Sequence, residues 1–66
     1  MSDLIRALSY LQKEIARMRD EQATFISSGR AADYAEYRNV CGVIRGLGLA
    51  DQTINDLVER MEKSDE

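Results

Sequence analysis

The chain has no histidine and no proline, and its single cysteine is Cys41. Without histidine there is no imidazole base for a cysteine-dependent hydrolase and no partner set for structural zinc. One cysteine cannot form a disulfide within the chain. The aromatics amount to three tyrosines and one phenylalanine. No eighteen-residue apolar run exists, so no transmembrane helix is expected. The net charge of −3 disfavours a nucleic-acid partner, because a phosphate-binding surface is basic. The first residues show no basic region followed by an apolar core and a cleavage site, so we expect no signal peptide and synthesis in a reducing cytoplasm.

What remains is a chain of 66 residues, 44% hydrophobic and 32% charged, a composition that folds as a globule or coiled coil. That length makes one domain at most, and a domain so small buries too little surface to be secure alone. Since no disulfide or zinc is expected to help, oligomerisation or docking on a larger protein is the expected source of further stability.

Two helical patterns fill the sequence. Ser2 is placed to cap the first, and Asp3 suits its first turn electrostatically. Leu4, Leu8, Leu11, Ile15, Met18, Gln22 and Phe25 then alternate steps of four and three, a heptad seam with one polar member. Arg6, Lys13, Glu14, Arg17, Arg19, Asp20 and Glu21 between them read as the solvated face. Ser27-Ser28-Gly29 closes the pattern, with Gly29 as a C-terminal cap. Asp33, three residues before Glu36, has the spacing of a capping box and opens the second helix. Its seam is Tyr37, Val40, Ile44, Leu47, Asp51, Ile54, Val58 and Met61. The expectation is one all-α domain over residues 1–66: helix 1 about 3–28, turn about 29–33, helix 2 about 34–62, folded as an antiparallel hairpin. Gly46 and Gly48 offer an alternative in which helix 2 breaks in two, but the seam keeps phase across them. From Lys63 onward the chain is expected to fray, ending in the acidic pair Asp65 and Glu66.

Helix 2 carries more than one partner needs. Val43, Ala50 and Leu57 form a second apolar row beside the seam, and Ala35, Gly42, Gly46 and Ala50 make a track of small residues. Glycine inside a helix costs about 1 kcal/mol against alanine, and close approach of another backbone is the usual reason to keep it. We therefore expect a protein interface on Gly42, Val43, Gly46, Ala50 and Leu57, with Gly42 or Gly46 to leucine abolishing association. Tyr34 and Tyr37 are expected to pack over the end of the hairpin.

Other chemistry is weaker. Arg38 and Arg45 flank Cys41, but without a base it reads as a small buried hydrophobe. The carboxylates Glu14, Glu21, Asp56 and Glu59 fall on outer faces, and no metal site is expected. Asp51 sits on the seam, to pair with an arginine or to set register. Gly42-Val43-Ile44-Arg45-Gly46-Leu47-Gly48 matches neither a dinucleotide nor a P-loop pattern and follows no strand. No cofactor and no small-molecule substrate is expected, and nothing points to an enzyme.

The run Asp33-Tyr34-x-Glu36-Tyr37-Arg38, followed by Cys41-Gly42-x-Ile44-Arg45-Gly46-Leu47, resembles short, mostly uncharacterised proteins of tailed bacteriophages encoded among virion structure and assembly genes. The resemblance spans roughly Gly29 to Met61 and carries no catalytic residue. It implies a phage protein with a structural or assembly role and carries over no binding site. Joined to the helical reading, the expectation is a small non-enzymatic protein that packs helices with itself or with a larger capsid, portal or tail protein. Such a protein is made in the host cytoplasm and, if structural, ends in the virion. The alternative is a phage-encoded intracellular binder that inhibits or modulates a host protein, steered by its acidic groups to a basic surface.

Overall fold

A computed structural model describes residues 3–64. Ser2, Asp65 and Glu66 lie outside them, and with them the N-terminal cap and the acidic tail expected from the sequence. The chain forms two helices packed against each other, α1 (Asp3–Ser27) and α2 (Tyr34–Ser64), a helical hairpin.

Each end at the corner has a local cause. Gly29 takes φ 76°, the left-handed conformation that glycine adopts without a Cβ penalty, and its N–H donates to Ile26 O at 3.1 Å. Ser28 Oγ donates to Phe25 O at 2.8 Å and occupies another open carbonyl of the last turn. Across the corner, Asp33 Oδ1 accepts the Glu36 N–H at 2.8 Å, while Asp33 O accepts the first helical bond, from Tyr37 N–H. The six-residue connection turns the chain back on itself.

α2 runs unbroken through Gly46 and Gly48 for 31 residues. It also continues past Lys63, where fraying was expected, and Ser64 Oγ donates to Met61 O at 2.9 Å. Two contacts fix the direction of packing. Gln12 meets Asp51, and further along α1 Arg19 meets Gly48, further back along α2. Rising numbers on one helix against falling numbers on the other make the pair antiparallel.

The inner face of α2 is Val40, Ile44, Leu47, Asp51, Ile54, Val58 and Met61, as its spacing predicts, except that Tyr37 lies outside, 44% exposed. α1 differs. Its inward residues are Ile5, Leu8, Gln12, Ile15, Arg19, Gln22 and Ile26. Leu8, Ile15 and Gln22 belong to the predicted seam, but the helix is rotated so that Leu4, Leu11 and Met18 stand exposed at 57%, 47% and 38%. Phe25, the last of that row, is half-buried. Arg19, expected in solvent, is half-buried instead.

The reason is the width of the apolar stripe on α1. It covers three adjacent rows, and a single neighbouring helix covers two. In the fold the row that begins at Ile5 and ends at Ile26, with Gln12 and Arg19 between them, faces α2.

The consequence is a polar middle. Gln12, Arg19, Gln22 and Asp51 occupy inner positions, and among the described residues only Ile5 and Val40 are buried below a tenth exposure. The hairpin measures 50 × 14 × 13 Å with a radius of gyration of 15.2 Å. A globular chain of this length would have about 11 Å. It is a rod with little interior.

Candidate interaction surface

Of the nine large apolar side chains exposed among the described residues, Leu4, Leu11, Met18, Val43 and Leu57 follow a rule, while Tyr10, Tyr34, Tyr37 and Leu49 stand outside it. On α1, Leu4, Leu11 and Met18 sit one residue before the inner row Ile5, Gln12 and Arg19. On α2, Val43, Ala50 and Leu57 sit one residue before the inner row Ile44, Asp51 and Val58. One residue turns a helix by about 100°, and looking down an antiparallel pair the two chains wind in opposite senses. The two preceding rows therefore emerge on the same side of the hairpin. Val43 and Leu57 are 41% and 46% exposed, and Ala50 is exposed between them. Together the rows line one long edge of the rod, a shallow apolar channel two helices wide.

The opposite edge is built from the rows that follow Leu8 and Val40: Ser9, Ala16 and Ala23 on α1, and Cys41, Gly48 and Asn55 on α2. These are small or polar. A Cβ at Gly48 would stand 3.4 Å from Arg19 Nη1, an ordinary contact with the far end of a flexible side chain. A Cβ at Gly42 or Gly46 would meet nothing within 4 Å.

The structure divides the predicted interface residues. Val43, Gly46, Ala50 and Leu57 fall together along the apolar edge. Gly42 is turned away from them and borders a depression shared with Tyr37, Cys41 and Arg45. Tyr34 and Tyr37 do not close the hairpin end. They stack on each other outside it, with ring centroids 6.2 Å apart and planes 19° apart, and Tyr34 is 71% exposed. The sequence reading missed Leu4, Leu11 and Met18 as surface residues because it had assigned them to the seam. The signal was present in the parallel row Ile5, Gln12, Arg19 and Ile26, whose apolar ends compete with theirs.

Two sets of polar side chains pair locally. Gln12 Nε2 donates to Asp51 Oδ1 at 3.4 Å, so the seam aspartate pairs with an amide and not with an arginine. Arg17 bridges Glu14, at 3.1 Å, and Glu21, and its pKa rises, first through the hydrogen bond to Glu14 and then through the charge of that carboxylate. A broad depression lies beside this network on the outer face of α1. It is open and lined by Lys13, Arg17, Asp20, Glu21 and Arg30 among others. The Tyr37 phenol is raised above its ordinary range, first by hydrogen bonding with the Cys41 side chain and then by the charge that thiol would carry.

Among the described residues no group of three or more His, Cys, Asp or Glu side chains is placed to hold a metal, and no helix is long and apolar enough to cross a membrane. Among the described residues, Leu4, Leu11, Met18, Val43, Ala50 and Leu57 give the thin rod an apolar edge. Comparison with family models, curated proteins and solved structures finds no match for the chain.

Proposed function

We propose that this chain is a small, non-enzymatic phage structural or assembly protein that works by helix packing, with itself or with a larger virion protein. The observation that carries the packing part is the edge formed by Leu4, Leu11 and Met18 with Val43, Ala50 and Leu57. Apolar side chains regularly spaced along both helices of one edge are what a further helix buries, and Gly46 beside them leaves room for its backbone. The phage setting is supported by the resemblance of the Asp33–Leu47 run alone.

Quantitative mass spectrometry of particles purified from the source phage tests the reading. A defined copy number that survives high-salt washing is expected, because an apolar interface is not screened by salt. Absence from particles, with abundance in infected-cell lysate, would leave the chain as an assembly factor or a binder of a host protein.

A further inference from the structure

We propose that the occupant of the apolar edge is a second copy of this chain, so that two hairpins close into a four-helix bundle. The proposal rests on the packing reading above and names its partner.

Size is the first argument. α1 has 25 residues, about 37 Å at 1.5 Å per residue, so the part of the edge that is two helices wide and 14 Å across offers a flat footprint of about 500 Å² per copy, close to the roughly 600 Å² per partner at the lower end of stable interfaces. The edge is also as wide as the hairpin, two helices across. A single added helix would cover only the channel between the rows, whereas a second hairpin covers both rows at once.

Self-complementarity is the second argument. The α1 row is large (Leu4, Leu11, Met18), while the α2 row has its smallest member, Ala50, at mid-length, with Gly46 beside it. A two-fold axis along the rod sets α1 of one copy beside α2 of the other at the level fixed by Gln12 and Asp51. Leu11 then faces Ala50 of the second copy, Met18 faces the stretch from Val43 to Gly46, and Leu4 faces Leu57. Large meets small at the centre, and every neighbouring pair of helices runs antiparallel, the up-down-up-down bundle. The far edge, with Ser9, Ala16, Cys41, Gly48 and Asn55, has no such row, so the same patch serves both copies and the assembly closes at two.

The polar middle is the third argument. In the isolated hairpin, Ile15, Leu47 and Ile54 stay only half-buried around Gln12 and Asp51. A second copy laid over this side of the rod removes them from water.

The test is the mass of the full chain by sedimentation equilibrium, with thermal unfolding followed at several concentrations. The expected mass is twice the 7.5 kDa of one chain, with an unfolding midpoint that rises with concentration. Leu11→Glu with Met18→Glu should lose the doubled mass, while Ser9→Glu with Asn55→Glu on the far edge keeps it. The wild-type measurement decides the matter even if the edge variant unfolds. A single-chain mass with a concentration-independent midpoint would overturn the proposal, as would a trimer or larger species. The two readings fail separately: if the chain is a monomer and the edge variant is still lost from particles, the bundle is overturned and packing on another protein stands, whereas an edge variant that stays in particles overturns the packing reading.

Discussion

Gln12 and Asp51 meet across the middle of the hairpin, among inner positions otherwise held by Leu8, Ile15, Leu47 and Ile54. Their hydrogen bond is long at 3.4 Å and only part-buried, so it contributes little energy and instead marks which residues lie level. Polar seam residues in paired helices characteristically fix register at a cost in stability. Gln12→Leu with Asp51→Leu should raise stability by about 1–3 kcal/mol, as apolar area replaces a weak bond. It should also broaden the distribution of masses in sedimentation. A double variant less stable than the parent would show the pair to be a true stabilising contact.

The same substitution should act in opposite directions at two glycines. Gly29→Ala places a Cβ at φ 76° and should destabilise by about 1–2 kcal/mol. Gly42→Ala lies mid-helix with open space around the added methyl and should stabilise by about 1 kcal/mol. Denaturant melts of both variants check the pair.

Asp33→Ala removes the acceptor of the Glu36 N–H and should cost about 1 kcal/mol. The loss should appear as faster amide exchange confined to the first turn of α2.

Gly46→Leu should leave the helical circular dichroism of the chain intact, because the space beside that position is open within the hairpin. Association through the apolar edge should be lost. Retained association would mean that the edge is not where packing occurs.

Titration of the Tyr37 phenol should follow Cys41. Its pKa is raised in the fold, so the neutral phenol is favoured; the associated stability is complete below the unfolded phenol pKa and is lost as pH rises through the folded one. Cys41→Ala should bring the Tyr37 phenolate absorbance down to lower pH, toward that of an unperturbed tyrosine.

The helix ends, the corner and the inner face of α2 were legible because each depends on local chemistry or on one dominant apolar row. Gly29 stops a helix and Asp33 starts one whatever surrounds them. The rotation of α1 was not legible. The rows Leu4–Leu11–Met18–Phe25 and Ile5–Gln12–Arg19–Ile26 are adjacent and share Leu8, Ile15 and Gln22 as neighbours. Periodicity reports the direction of the whole apolar stripe but not which part of it a given neighbour covers. The sequence reading directed the more apolar row at α2. In the fold that row joins Val43, Ala50 and Leu57 on the edge, so α1 contributes as much exposed apolar surface there as α2. Gly42 was misplaced for a related reason: a track of small residues four apart drifts around the helix, and only its Gly46–Ala50 end reaches the edge.

The most direct test is thiol reactivity along the two edges. Ala50→Cys and Asn55→Cys, each made in a Cys41→Ser chain, place one thiol at mid-length on the apolar edge and one on the far edge. Their alkylation rates are compared from dilute to concentrated protein. The account predicts that Ala50→Cys becomes protected as concentration rises while Asn55→Cys reacts freely throughout. Equal reactivity of both thiols at every concentration would contradict it.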